Sequence, residues 1–434
     1  MGVPINSKKK GSITMKKTLS LLLALAMLLA LALPLTVSAE GEHIKILLDE
    51  DRGEDSALYQ IMNQWAAETG NTYEFLIVPY DDQLTKFPQM IRNNDLPDLI
   101  VSTRLHQLYP DEFVDMETLV DIGIMEPTAL KVVGKAYSSD KITGLTLSFT
   151  TTCIFVNKTA FEKAGIEVPA IGSEWTWDEL YANAALLQEK GGVKYGFACD
   201  VSRARYDCLM YANGGSLTVL DDGEIGISVN SDQNIATLQA FIDANESGVM
   251  PKALWAGGTT DNPADYFKNG DVGIYLSGSW NYAGFASDIK DFTMAVMPSP
   301  KGTTERAAII GGEAFAIPQG GKNVAAAENF VKWLYTAENF QKFINVEKGP
   351  SGYIGVTYVP DNEFDIANVA VIQNEVAAIP DAYMVDEASA WRNYLDNEYR
   401  DLLKCAVAGE YTAEEALTEF AEELSQKSGW PIVK

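Results

Sequence analysis

The segment from His43 to Val101 constrains the fold more than any other stretch of the chain. His43–Leu48 is a short apolar run that ends in acids. Leu58, Ile61, Met62 and Trp65 then recur at i, i+3, i+4 and i+7, one face of a helix, and Gly70 stops it. Tyr73–Val78 is a second strand-like run. Leu84, Phe87, Met90 and Ile91 repeat the helical spacing, and Leu99–Val101 is a third run entered through Pro97 and Asp98. Strand, helix, strand, helix, strand in this order predicts an open parallel sheet with flanking helices. In such sheets ligands gather at the carboxyl ends of the strands. Those ends are Asp49–Arg52, Pro79–Asp82 and Ser102–Arg104.

A second α/β region begins at the apolar run Cys153–Val156. Thr176 with Glu179 predicts a capping box and a helix to about Lys190, closed by Gly191 and Gly192. Strands are expected at Tyr195–Ala198, Ile225–Val229, Val272–Leu276 and Phe292–Val296. From Asn323 onward the pattern is mostly helical. Thr412 with Glu415 predicts a second capping box, ahead of the apolar stripe Leu417, Phe420, Ala421 and Leu424. No repeat and no long flexible linker separates the halves, so two lobes joined by short crossings are expected.

The amino terminus reads differently. Five lysines between Lys8 and Lys17 precede an apolar run from Leu19 to Leu33, then Pro34 and Val37-Ser38-Ala39. This is the pattern of a cleaved secretory signal peptide over residues 1–39, with Met1 or Met15 as the start. The run is too short to span a bilayer and is followed by acids rather than by a basic stop. No other stretch approaches a membrane-spanning length, so the remainder reads as soluble. No lipobox Cys stands at the cleavage site, so the exported chain is expected to be periplasmic or extracellular.

Charge and chemistry exclude several classes. The 434 residues carry 33 basic and 60 acidic side chains, a net charge of −27. That opposes nucleic-acid binding, which needs clustered Lys and Arg. The only histidines are His43 and His106, which leaves no His-rich metal site and no His-based triad. No cofactor and no metal are expected. Cys153, Cys199, Cys208 and Cys405 form no C-x-x-C pair. Cys153 reads as core, whereas Cys199 and Cys208 either bridge or remain free.

Further motifs carry a resemblance. Asn94-Asp95-Leu96-Pro97-Asp98-Leu99-Ile100, Phe155-Val156-Asn157-Lys158-Thr159-Ala160-Phe161-Glu162-Lys163-Ala164-Gly165 and Thr176-Trp177-Asp178-Glu179-Leu180 occur in that order. They are followed by Phe267–Gly273 with Gly278-Ser279-Trp280, then Pro298-Ser299-Pro300, Gly311-Gly312 and Ala325–Phe330. Together these resemble the extracellular solute-binding proteins of ABC importers, the maltose-binding-protein-like, sugar-binding family. The resemblance implies an α/β fold of the two-lobed periplasmic-binding-protein kind (type II). Each lobe would be an open, mostly parallel sheet with flanking helices, and the ligand cleft would lie between them. It implies one lobe from 40–149 and 313–347 and another from 150–312 and 348–434, with crossings near Ser148–Thr152 and Ile309–Ala314. It also implies a non-enzymatic, monomeric receptor whose partners are a small-molecule sugar and the transmembrane subunits of an ABC permease.

A sugar presents apolar C–H faces and a rim of hydroxyls, so its site needs aromatic platforms and planar polar groups. Trp280 follows a strand in a run of small residues and matches the family's stacking Trp. Asp51 and Arg52 match the acidic–basic pair after its first strand. Arg104 follows the third strand, and Arg203, Arg205 and Tyr206 follow Tyr195–Ala198. Gly312 and Glu313 stand at the second crossing. Trp391 is equally readable as a cleft aromatic or as core, and Tyr353 marks a loop that would select the ligand. Ser102-Thr103 and Thr150–Thr152 replace an aromatic and an acid of maltose-binding members, which points to a different or smaller ligand. Competing readings are a polyamine or other small cation, drawn by the acidic charge, a secreted glycosidase, and metal uptake.

Overall fold

The computed structural model describes residues 1–2, 41–137, 139–395 and 397–433. The expected signal peptide lies almost wholly outside them. Residues 42–434 form one folded unit, and the account below concerns that unit.

Strand β1 (His43–Leu48) is followed by helix α1 (Ala57–Thr69), β2 (Thr72–Ile77), α2 (Tyr80–Asn93) and β3 (Leu99–Ser102). β1 lies between β2 and β3, parallel to both, as the alternating pattern predicts. The reasons are local. The Ser56 side chain accepts from the Tyr59 amide to open α1, and Gly70, at φ 75°, closes it in the left-handed region. The face Leu58, Ile61, Met62 and Trp65 is buried, and Trp65 meets Phe330 edge-on at 5.2 Å.

β4 (Leu145–Asn157) is the spine of the molecule, with all 13 residues buried. Its first half pairs with β10 (Ile310–Ala316), and its second half pairs with β8 (Val272–Gly278) and β9 (Met294–Met297). β5 (Tyr195–Cys199) lies parallel to β8. The strand order is β2-β1-β3-β10-β4-β8-β5, with β9 also on β4. One lobe is therefore built around β1–β3 and the other around β5, β8 and β9, and β4 and β10 run through both. The sheet is mixed. The strands that cross between lobes run antiparallel to their neighbours, because each enters a lobe from the opposite side.

Gly312 sits in β10 at φ 150°, and a Cβ there would lie 2.0 Å from the Ser148 carbonyl oxygen of β4. Gly312 thus lets the two crossing strands approach closely, whereas a side chain at Gly311 would meet only Thr150 Oγ1 at 3.8 Å. A bulge follows between Glu313 and Ala314, which turns the strand at the crossing.

The helices of the second lobe follow the expected caps. α3 (Trp177–Leu186) and α10 (Ala413–Ser428) both open on complete capping boxes. Between them come α4 (Arg203–Ala212) and α5 (Asp232–Glu246), then α6 (Val324–Leu334) and α7 (Ala337–Glu347), which return to pack on β1 and α1 of the first lobe, and then α8 (Glu363–Glu375) and α9 (Asn397–Ala408). Residues 352–354 still bond to the first lobe, through Glu126 N–H to the Gly352 carbonyl and Ile354 N–H to the Ile124 carbonyl, both at 2.8 Å. The expected strand at Ile225–Val229 is displaced from the main sheet. It becomes β7 (Glu224–Ile227), paired with β6 (Thr218–Asp221) in a separate hairpin. All four cysteines are free thiols, so Cys199 and Cys208 do not bridge. Cys208 instead donates to the Ala204 carbonyl within its own helix.

Candidate functional site: the cleft between the lobes

A cleft of about 1450 Å³ opens where the lobes meet. It is larger than the usual small-molecule pocket of roughly 300–1,000 Å³. Asp51, Arg52, Arg104, Arg203, Arg205, Trp280, Gly312 and Glu313 all line it. Most come from beyond the ends of β1, β3, β5 and β8, in keeping with the strand-end rule, whereas Gly312 and Glu313 lie within the crossing strand β10.

On the first wall, Arg52 faces Glu313 with both terminal nitrogens, one of them at 2.7 Å, and donates to Asp49 at 3.0 Å. Burial opposes the Arg52 charge, but Glu313 and Asp49 outweigh it and hold the guanidinium protonated. This bidentate pair ties the β1 end to the bulge of β10. Asp51 accepts from the Gly53 amide and from the Tyr59 hydroxyl, so it braces the turn into α1. Arg104 is buried, lies 3.9 Å above the Tyr80 ring, and donates to the Tyr80 carbonyl at 2.9 Å. Behind Arg52, burial lifts the Glu347 carboxyl to about 7, with Arg52 pulling it down and Glu313 pushing it up.

On the second wall, Asp200 follows β5 and gathers three donors. These are Arg205 Nε at 3.0 Å, Ser277 Oγ at 2.8 Å and the Tyr275 hydroxyl. Arg205 lies 4.8 Å over the Trp280 ring, and Trp280 is 45% exposed. Arg203 bonds Asp207 at 2.6 Å and reaches Glu387. Further along the cleft, Asp365 of α8 accepts from Tyr282, Tyr358, Asn362 and Lys348. Burial opposes its charge, but these donors bring its carboxyl down to about 2.

Two polar contacts span the cleft. Arg392 donates to the Tyr137 hydroxyl at 3.2 Å, and Arg400 meets Asp81 at 2.9 Å. Among the described residues no group of three or more His, Cys, Asp or Glu side chains could hold a metal ion. His106 is buried, donates through Nε2 to the Val133 carbonyl, and is pushed by burial down to about 4, so it is a neutral structural group.

Three expected site residues lie elsewhere. Tyr206 is buried against Phe241 and does not line the cleft. Trp391 is 1% exposed and meets Tyr399 and Phe420 edge-on, so the core alternative is the correct one. Tyr353 packs on Phe340 and pairs with Met125 in the first lobe, outside the cleft. Conversely, Asp200 and Tyr80 were not singled out, although both follow strands and stood within reach of the strand-end rule. Tyr137 and Arg392, 255 positions apart, left no sequence signal of their meeting.

Comparison with known proteins fits this geometry. Residues 49–339 match the model of the bacterial extracellular solute-binding proteins. A binding protein of Brucella abortus strain 2308 is 25% identical over 387 residues, which is 83% of this chain and 88% of that one. The arabinooligosaccharide-binding protein of Bacillus subtilis strain 168 is 24% identical over 267 residues, 60% of this chain and 56% of its own. Among solved structures, an ABC substrate-binding protein of Listeria monocytogenes in complex with cycloalternan superposes with a TM-score of 0.75 at 19% identity. It covers 90% of this chain and 100% of its own. Maltose-bound MalE3 of T. maritima gives 0.73 at 18% identity, covering 89% and 100%. With a family match over more than half of the chain and the same two-lobed fold, this protein belongs to the bacterial extracellular solute-binding proteins.

Proposed function

We propose that the chain is a non-enzymatic receptor that captures a carbohydrate in the cleft and presents it to the transmembrane subunits of an ABC importer. The observation that carries this reading is the half-exposed Trp280, set in a large cleft beside paired arginines and carboxylates. An indole face suits the apolar C–H face of a pyranose, and the planar groups around it suit hydroxyls. The cleft volume favours an oligosaccharide over a single ring. The arabino-oligosaccharide specificity named for the Bacillus relative and the cyclic and linear glucans bound by the structural neighbours support the same class.

Lobe closure about β4 and β10 would trap the ligand, and the closed form would dock on the permease as a monomer. Export would follow from cleavage near Ala39, which leaves Glu40 at the new amino terminus. The polyamine reading loses its motive at the cleft, because Glu313 and Asp49 are taken up by Arg52 and Asp200 by Arg205. Calorimetry against arabino-, malto- and cyclic oligosaccharides tests the proposal. Saturable binding of at least one is expected, and absence of heat with all of them, alongside a shift in melting temperature with spermidine, would overturn it.

A further inference from the structure

Two neighbours hold the Trp280 ring. The backbone of Gly278 is ordinary extended strand, φ −138° and ψ 162°, a conformation open to any residue. Its glycine is required for another reason. A Cβ at 278 would lie 1.7 Å from Cζ3 and 2.2 Å from Cε3 and Cη2 of the Trp280 indole. The ring therefore occupies the space that a side chain at 278 would fill. Over the ring stands the guanidinium of Arg205, 4.8 Å from the centroid. Arg205 is only 7% exposed, so its attraction to the ring is less screened than at an open surface. Asp200 fixes that guanidinium from the opposite side and is itself fixed by Tyr275 and Ser277 of β8. The turn that carries Trp280 is anchored too, since the Thr151 amide of β4 donates to Ser279 Oγ at 3.2 Å.

We infer that Gly278 and Arg205, with Asp200 behind it, are positioning residues that hold Trp280 as a one-sided platform. The Gly278 backbone and the Arg205 guanidinium back the indole, so a ligand stacks only on the part of the ring that they leave open, the part that keeps Trp280 45% exposed. This rests on the carbohydrate reading above and sharpens it. The subsite takes the single flat apolar face of one sugar ring and does not enclose it between two surfaces. Because Ser279 is bonded to the crossing strand, the platform keeps its angle to the hinge as the lobes close.

The test compares the whole exported chain with Gly278→Ala and Arg205→Met. The Trp280 contribution to fluorescence is isolated by subtracting Trp280→Phe. Both variants are expected to red-shift that contribution and to raise its quenching by acrylamide, without a matching loss of melting temperature. Affinity for the oligosaccharide that binds best is expected to fall about tenfold, as loss of one well-placed stacking contact would cause. If the native chain binds sugar and both variants keep native quenching and affinity, the positioning inference is overturned. If the native chain binds no sugar, the carbohydrate reading fails, while unchanged quenching in the variants still decides against positioning. Should Gly278→Ala not fold, Arg205→Met carries the same readouts.

Discussion

Trp280 and Trp391 begin from similar local circumstances and end in opposite ones. Each follows a run of small residues, Ser277-Gly278-Ser279 in one case and Ala388-Ser389-Ala390 in the other, and each sits in a single 3₁₀ turn. Each has an arginine over its ring, and both arginines come from α4, Arg205 at 4.8 Å and Arg203 at 4.9 Å. Yet Trp280 is 45% exposed and Trp391 is 1% exposed. The difference lies in what approaches from elsewhere. Tyr399 of α9 and Phe420 of α10 close over Trp391, whereas Trp280 stays exposed to the cleft. A small-residue approach and a cationic neighbour therefore mark a tryptophan whose ring has room, and tertiary packing decides whether protein or ligand fills it.

The sharpest way to break this comparison is to remove each ring. Trp391→Ala is expected to destabilise the fold by about 3–5 kcal/mol, since it empties a packed site that the surroundings cannot fill. Chemical denaturation measures this, and a loss under about 1 kcal/mol would contradict the core assignment.

The ion pairs beneath the two rings differ in the same sense. Asp207, fully buried under Arg203, has its carboxyl raised by burial to about 6 from a usual 3.8, with Arg203 opposing the rise. A raised acid binds its proton more tightly in the folded state, so its contribution is fully present below pH 4 and is lost as the pH rises to about 6. The expected slope amounts to at most about 3 kcal/mol. Asp207→Asn should remove that slope from the stability profile between pH 4 and 6, whatever its effect on absolute stability.

Trp280→Ala should do the reverse of Trp391→Ala. Stability is expected to stay within about 0.5 kcal/mol, while binding of the cognate sugar weakens by about 2 kcal/mol, roughly thirtyfold. Calorimetry beside a melting curve separates the two. The smallest effect belongs to Arg400, which neighbours Tyr399 on α9 and reaches across the cleft mouth to Asp81. This is an exposed pair, so Arg400→Gln should cost about 0.3–1 kcal/mol of ligand affinity and should matter less as salt is raised.

Much of this fold was legible in the sequence because local physics specified it. Leu58, Ile61, Met62 and Trp65 had to share a face, and Thr176 with Glu179 had to open a helix. The strand-end rule alone points Arg52, Arg104 and Trp280 to the cleft, because each comes just after a strand. What escaped was set by long-range packing. Tyr206 follows the cleft arginines in sequence, but packing against Phe241 takes it into the core. Tyr353 reads as a loop residue, and only its pairing with Met125 shows which lobe owns it. The Ile225–Val229 run has a strand's composition, yet composition does not say which sheet a strand joins.

The position of β10 has a consequence for how the chain acquires its structure. In the sheet, β10 lies between β3 and β4, but in the sequence it comes after every strand of the second lobe. When residues 43–157 have been made, the first lobe has α1, α2 and four strands, and a gap where β10 belongs. That gap cannot close until residues 310–316 arrive. Two of the backbone ladders that complete the first lobe thus join segments more than 150 residues apart. Such pairings are slow to form, because loop closure precedes any gain from the contacts it allows. The lobes should then gain their final stability together, in one late step, and a chain cut short before Ile310 would leave the facing edges of β3 and β4 open to pairing with other chains.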